Sequence, residues 1–180
     1  MRWIVHGERP VYRSEWVELT LAEVEMPDGA RYEHHLVRLP PAVAVAIVDD
    51  ASRVLMLWRH RFATDSWGWE LPAGAVGDGE SLVQTAVRET EEETGWRPHG
   101  LSELAYIQPI SGITNAEQHV FRADGATFVS PPADSFESDR IAWVPLAGVP
   151  ELIAQRKIVS AATVVGLLQL LAADHLGELG

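Results

Sequence analysis

The stretch GAVGDGESLVQTAVRETEEETGW, residues Gly74 to Trp96, sets one arginine and four glutamates (Arg88, Glu89, Glu91, Glu92 and Glu93) within six positions. Local signals make it a helix with marked ends. Ser81 and Gln84 have the S-x-x-Q spacing of a capping box. Gly95 stands where a helix turns left-handed to stop, and Pro98 prevents it from resuming. Leu82, Val83, Ala86 and Val87 are expected to form the apolar face, while Thr85, Glu89 and Glu93 share an i, i+4 row with Glu92 beside Glu89 at i+3. Like charges at this density oppose folding unless something positive sits against them. Three carboxylates on one side of a helix provide the oxygen donors that a hard divalent cation uses.

Outward from this helix the chain alternates short strands with turns. Trp3 to Val5 is a short apolar run closed by Gly7 and Pro10, and Trp16 to Met26 alternates apolar and polar side chains with the period of a half-buried strand. Pro27-Asp28-Gly29 supplies turn chemistry before a strand over residues 32–39. These pieces predict a small antiparallel sheet over residues 1–40, too small to bury itself and so packed on the main domain or on another chain. Residues 42–48, AVAVAIV, read as a central strand covered on both faces, with 54–58 as its hairpin partner across Asp49-Asp50-Ala51-Ser52. Further strands are expected near 67–72, 104–108, 118–123 and 141–144. A short helix from Pro150 and a final helix from Ala161 to about Leu176, capped by Ser160, complete the second region, 41–180.

Composition limits what such a chain can do. The 180 residues carry a net charge of −12, which disfavours nonspecific binding to nucleic acid or an anionic membrane. The apolar fraction of 47% is ordinary for a globular protein, and no run reaches the ~20 apolar residues of a membrane span. Cysteine is absent, which excludes disulfides, thiolate metal sites and cysteine nucleophiles. Together with an N-terminus unlike a signal peptide, this leads us to expect a cytoplasmic protein.

The spacing Gly74, five residues, Glu80, seven residues, Arg88-Glu89, two residues, Glu92-Glu93, one residue, Gly95 resembles the Nudix box, G-x5-E-x7-R-E-U-x-E-E-x-G-U, where U is a bulky apolar residue. All seven fixed positions match. One U position departs, where Thr90 replaces an aliphatic residue, and the other holds Trp96. The resemblance implies an α/β fold, an α/β/α sandwich with a mixed sheet, and hydrolysis of a nucleoside diphosphate linked to another group with Mg²⁺ or Mn²⁺ as cofactor. By matching position it makes Glu89, Glu93 and the Ala73 carbonyl metal ligands, and Glu92 a further ligand or bridging base. Arg88 would hold these carboxylates in place, and Glu80 would anchor the loop.

Outside the box, the chain is most similar to the ADP-ribose pyrophosphatase branch. The features that carry this are the strand-rich N-terminus, the loop PISGIT at residues 109–114, Gln155-Arg156-Lys157-Ile158 ahead of the last helix, and Glu137-Ser138-Asp139-Arg140-Ile141. The last resembles an acidic catalytic loop and implies Glu137 as general base and Asp139 as an extra metal ligand. Arg59 and Arg61 follow a strand and are expected to clamp a diphosphate bidentately, with Glu70 facing the metal site. Trp3 or Trp16 could stack on a base or serve packing. The branch's S-P-G turn is missing, since Ser111 directly precedes Gly112, which leaves nucleotide sugars open beside ADP-ribose. The resemblance also implies a homodimer exchanging its N-terminal sheets. Two other readings stand beside the hydrolase: a nucleotide-sensing module without turnover, and a housecleaning nucleoside triphosphate pyrophosphatase.

Overall fold

A computed structural model describes residues 1–133 and 138–176, the latter without the side chains of 174–176. Strands β1 (Ile4–Arg13), β2 (Glu18–Glu25) and β3 (Arg31–Arg38) form an antiparallel sheet in that order. The turn after β2 forms as its residues dictate. Gly29 takes φ 86°, Gly29 N–H donates to the Met26 carbonyl, and the Asp28 carboxylate accepts from the Ala30 N–H. Strand β1 runs well past the Gly7 and Pro10 expected to end it, with register shifts at Val5/Gly7 and Pro10/Tyr12. It is an edge strand, where a missing proline N–H need cost no ladder bond and bulges absorb the irregularity. Residues 108–117 belong to the same compact unit as residues 1–41. Within it the Val37 N–H donates to the Ile113 carbonyl at 2.8 Å, and the Leu39 N–H donates to the Asn115 side chain at 3.1 Å.

The second unit holds the remaining elements. They are β4 (Ala42–Ile47), β5 (Arg53–Arg61), β6 (Ser66–Glu70), β7 (Ala73–Ala75), α1 (Leu82–Thr94), β8 (Trp96–His99), β9 (Ser102–Ile107), β10 (Gln118–Ala123), β11 (Gly125–Phe128), β12 (Arg140–Pro145), α2 (Val149–Ala154) and α3 (Ala161–Leu176). Strands β7-β4-β10-β9 make a mixed sheet in which β4 and β10 run parallel. Strands β12-β5-β6 form an antiparallel sheet, and β11-β8 form a two-stranded one.

The run AVAVAIV is buried on both faces because two helices cover it. Val43, Val45 and Ile47 pack with Ala86 of α1, while Ala44 and Ala46 share a cluster with Leu167 and Leu170 of α3. The chain thus builds an α/β/α sandwich. Helix α3 lies so close to β10 that a Cβ on Gly166 would meet Val120 at 2.8 Å.

Two expectations are corrected and another is met with an addition. The hairpin between β4 and β5 begins as read, with Asp49 N–H donating to the Arg53 carbonyl and the Asp49 carboxylate accepting from the Ala51 and Arg53 N–H groups. It stops after the single bridge Val48–Val54. Both edges of β4 are already taken by β7 and β10, so β5 joins another sheet. Pro98 blocks the helix as expected, and it sits inside β8, which among the described residues pairs only with β11. The second correction is that the buried face of α1 is Leu82-Val83-Ala86-Val87 only in part, since Ala86 is buried and Leu82 packs on the core while other residues join them. Val83 is 48% exposed, and the buried residues are Thr85, Ala86, Thr90, Glu93 and Thr94. The threonines can be buried because their hydroxyls are satisfied, Thr90 donating to the Ala86 carbonyl at 2.7 Å and Thr85 to Glu80 at 2.9 Å. Thr90, the departure from the motif, therefore lies fully buried without an orphaned polar atom.

Among the described residues, no helix is long and apolar enough to cross a membrane.

Candidate active site

Strand β6 ends at Glu70, and Leu71-Pro72 lead into β7, whose Ala73 pairs with Ala44 and whose Gly74 pairs with Val43. This fixes the turn against the start of the box. Helix α1 is fixed in its turn by both bonds of the capping box and by Gly95, which takes φ 76° and donates to the Glu91 carbonyl. Glu89 then fills the space in front of Gly74. A Cβ there would lie 1.9 Å from the Glu89 carboxyl carbon, so any larger residue at 74 displaces that carboxylate.

Arg88 binds three carboxylates at once. Its Nε and Nη2 each donate to Glu80 at 2.8 Å, while Nη1 donates to Glu89 at 2.8 Å and to Glu92 at 2.9 Å. Glu80 also accepts from the Thr85 hydroxyl and the Gly77 N–H. These donors, Arg88 first and Thr85 second, pull the Glu80 carboxyl down to about 2, and the same contact with Glu80 raises the Arg88 guanidinium above its ordinary value.

Glu93 is held differently. One oxygen accepts from Arg59 Nη2 at 2.6 Å and the other from the Ala73 N–H at 2.9 Å. Both side chains of the Arg59–Glu93 pair are 3% exposed. Arg59 Nε lies 4.0 Å from Glu70, and Glu70 is gripped in turn by Arg61, whose Nε donates at 3.1 Å. Arg61 is about half exposed.

The structure thus brings Arg59, Arg61, Glu70, Ala73 and Glu93 into one linked chain of polar contacts. Arg88, Glu80, Glu89 and Glu92 form a second, one helical turn away along α1. Arg59 and Arg61 do share one face of β5, but they do not stand together as an open clamp. Arg59 is buried against Glu93, and Glu70 accepts from Arg61. No sequence pattern announces the Arg59–Glu93 pair. The alternation of Arg59 and Arg61 with Trp58 and His60 along β5 is the only hint that both arginines share a face. Asp139 opens the approach to β12, its N–H donating to the Trp58 carbonyl at 2.9 Å, with its side chain exposed. Glu137 lies outside the described residues.

Among the described residues, no three acidic or histidine side chains already converge on one point as a closed metal cage. The carboxylates are interleaved with guanidiniums, which supply the positive charge that this acidic face needs to fold. The donor set nevertheless fits a hard divalent cation. Glu89, Glu92, Glu93 and the backbone at Ala73 offer oxygen alone, and Glu89 sits in a cradle open only because residue 74 is glycine.

This sandwich, with a capped loop and helix presenting arginine-ordered glutamates at a glycine turn, defines a Nudix hydrolase. Residues 38–162 match the NUDIX domain family, and the chain belongs to it. It is 43% identical over 171 residues to the CMP-5′-(N-acetyl-N-hydroxy-3-aminopropyl)phosphonate hydrolase of Streptomyces rubellomurinus, covering 95% of this chain and 83% of that one. It is 27% identical over 159 residues to the ADP-ribose pyrophosphatase of Bacillus subtilis, covering 87% and 86%. A crystal structure of an ADP compounds hydrolase shares the fold, with a TM-score of 0.85 at 20% identity over 99% of this chain and 97% of that one.

Proposed function

We propose that this protein hydrolyses the P–O–P bridge of a nucleoside diphosphate linked to another group, with ADP-ribose or a nucleotide sugar as substrate and Mg²⁺ or Mn²⁺ as cofactor. The observation that carries the reading is the ordering of Glu89, Glu92 and Glu93 by Arg88, Arg59 and the Ala73 N–H around a glycine turn that only a missing Cβ leaves open. Glu89, Glu92, Glu93 and the Ala73 carbonyl would hold the ion. When bound, it neutralises charge on the phosphates and lowers the pKa of a water. Arg88 keeps two of the carboxylates aimed through the reaction. Arg61, half exposed, would meet the diphosphate, and its contact with Glu70 would orient it. Water adds to one phosphorus as the bridging P–O bond breaks. Its proton passes to Glu137 as general base, Asp139 supplies a further ligand, and two phosphomonoesters leave.

A second substrate has a specific observation behind it. The Streptomyces rubellomurinus relative acts on a CMP-linked phosphonate, and its 43% identity extends over 95% of this chain. Such a substrate joins a nucleoside monophosphate to a second phosphorus acid, and the chemistry required of the box is the same. A Mg²⁺-supplied panel of ADP-ribose, ADP- and GDP-sugars, a CMP-linked phosphonate, dinucleotides and nucleoside triphosphates separates these readings by product. Release of the nucleoside monophosphate from ADP-ribose or a nucleotide sugar is expected. Preferred turnover of the CMP compound establishes the second reading, and preferred turnover of triphosphates overturns both. Tight binding of one compound with turnover of none would make the protein a sensor.

A further inference from the structure

We propose that Thr85 is a positioning residue for the box: its hydroxyl fixes Glu80, and Glu80 sets the direction in which Arg88 holds Glu89 and Glu92. This rests on the reading of Glu89 and Glu92 as metal ligands. Position 85 is not one of the fixed positions of the box but falls in the seven-residue gap between Glu80 and Arg88. Thr85 is nonetheless fully buried, and its Oγ1 lies 2.9 Å from Glu80 Oε2 and 3.2 Å from the Ser81 carbonyl. One hydroxyl proton faces two acceptors, and the charged carboxylate at the shorter distance takes the larger share. A threonine inside a helix ordinarily donates to the carbonyl four residues back, as Thr90 does to Ala86 and Thr94 to Thr90. Thr85 differs from both in having a carboxylate within reach.

The effect passes through a rigid fork. A guanidinium is planar, so once Glu80 holds Nε and Nη2 at 2.8 Å the direction of Nη1 is settled. Nη1 is the nitrogen that donates to Glu89 at 2.8 Å and to Glu92 at 2.9 Å. Glu80 must then be fixed by donors other than Arg88. Two such donors meet its Oε2, the Thr85 hydroxyl and the Gly77 N–H at 3.2 Å. Gly77 belongs to the loop ahead of the helix, whereas Thr85 stands on α1 itself, the element that carries Arg88, Glu89 and Glu92. Through Thr85 the helix aims its own carboxylates. Arg88 and Glu80 are each about one-third exposed, so without the buried donor the pair is free to turn together towards solvent. A threonine that served only the helix backbone would matter to stability alone.

Mn²⁺ binding without substrate, followed by the electron paramagnetic resonance of the free ion, separates the two roles. Wild-type protein, Thr85→Val, Thr85→Ser, Glu80→Met and the double variant Thr85→Val with Glu80→Met are compared, with thermal unfolding measured for each. Thr85→Val keeps the shape but removes the donor, and is expected to weaken Mn²⁺ binding about fivefold. Thr85→Ser keeps the donor and should bind within about twofold of wild type. Glu80→Met removes the acceptor, so adding Thr85→Val to it should change binding no further. Wild-type affinity in Thr85→Val, failure of Thr85→Ser to restore it, or a Thr85→Val effect that survives Glu80→Met each overturns the proposal. If Thr85→Val does not fold, Thr85→Ala, which also lacks the hydroxyl, is compared with Thr85→Ser in its place. Failure of the wild-type protein to bind Mn²⁺ would remove the metal reading and this proposal with it, a result distinct from normal binding that ignores Thr85.

Discussion

Two arginines divide the work of neutralising this site, and their surroundings give them different consequences. Arg88 is partly exposed and spans Glu80, Glu89 and Glu92, while Arg59 is sealed against Glu93. Replacing Glu93 by glutamine keeps an oxygen for the Ala73 N–H but leaves Arg59 facing an uncharged amide in the core. We expect Glu93→Gln to lower kcat by at least about a thousandfold and to destabilise the metal-free fold by about 3 kcal/mol. Steady-state kinetics and urea unfolding read the two effects, and near-normal turnover would remove Glu93 from the ligand set. Glu80 gives a pH signature instead. Its carboxyl titrates in the folded protein near 2, below its ordinary value of 4.5, because it accepts from Arg88 and Thr85. A depressed acid contributes stability above its unfolded pKa and loses it as the pH falls through the folded one. The urea midpoint of wild type should thus exceed that of Glu80→Gln by a constant margin above about pH 5, and the margin should close as the pH falls towards about 2. A margin independent of pH would show that the Arg88 contact contributes nothing through charge.

At the scale of elements, the box depends on two glycines for different reasons. At Gly74 a Cβ meets the far end of one flexible side chain, so Gly74→Ala should cost less than about 1 kcal/mol while moving Glu89 aside and lowering kcat about a hundredfold. At Gly95 the backbone is left-handed and a Cβ would lie 1.8 Å from the Ser130 carbonyl oxygen, which cannot swing away. Gly95→Ala should therefore cost about 2–3 kcal/mol in urea unfolding, and a variant as stable as wild type would contradict the packing of α1 against residues 129–130. These glycines, the capping box and the doubly buried strand were legible because each depends on neighbours within a few residues. The burial of Thr85, Thr90 and Thr94 was not, because hydroxyls that donate back to the preceding turn become compatible with a core only once the helix exists. The departure of β5 from β4 was hidden for another reason. A local turn signal says that the chain reverses, but which strand claims the free edge is decided by β10, some seventy residues later in the chain. The Arg59–Glu93 pair is illegible for the same reason, since it joins a strand to a helix thirty-four residues on.

For the whole molecule, the N-terminal sheet poses the remaining physical question. Every residue of β1 is exposed, Trp3, Val11, Tyr12 and Trp16 among the apolar side chains around it. What joins the strands across the sheet is chiefly backbone bonding and ion pairs, Arg9 to Glu33 at 2.9 Å and Arg13 to Glu18 at 2.7 Å. Exposed pairs of this kind contribute little, about 0.2–1 kcal/mol each. A sheet with so much uncovered tryptophan, tyrosine and valine is better accounted for by a partner surface than by solvent. The bulges near Gly7 and Pro10 interrupt the outer edge of β1, so the partner should meet its face and not extend its ladder. We therefore expect light scattering to give twice 19.8 kDa for the wild-type protein. Val11→Glu with Tyr12→Glu should shift it towards the monomer without loss of strand signal in circular dichroism, because neither side chain is buried within the chain. If the two copies complete each other's substrate pocket, the monomeric variant should show a raised KM for the preferred substrate and unaltered Mn²⁺ binding, since the box lies wholly within one chain. A monomeric wild-type protein would leave the exposed sheet without its partner. A monomeric variant with wild-type KM would keep the dimer but confine the substrate pocket to one copy.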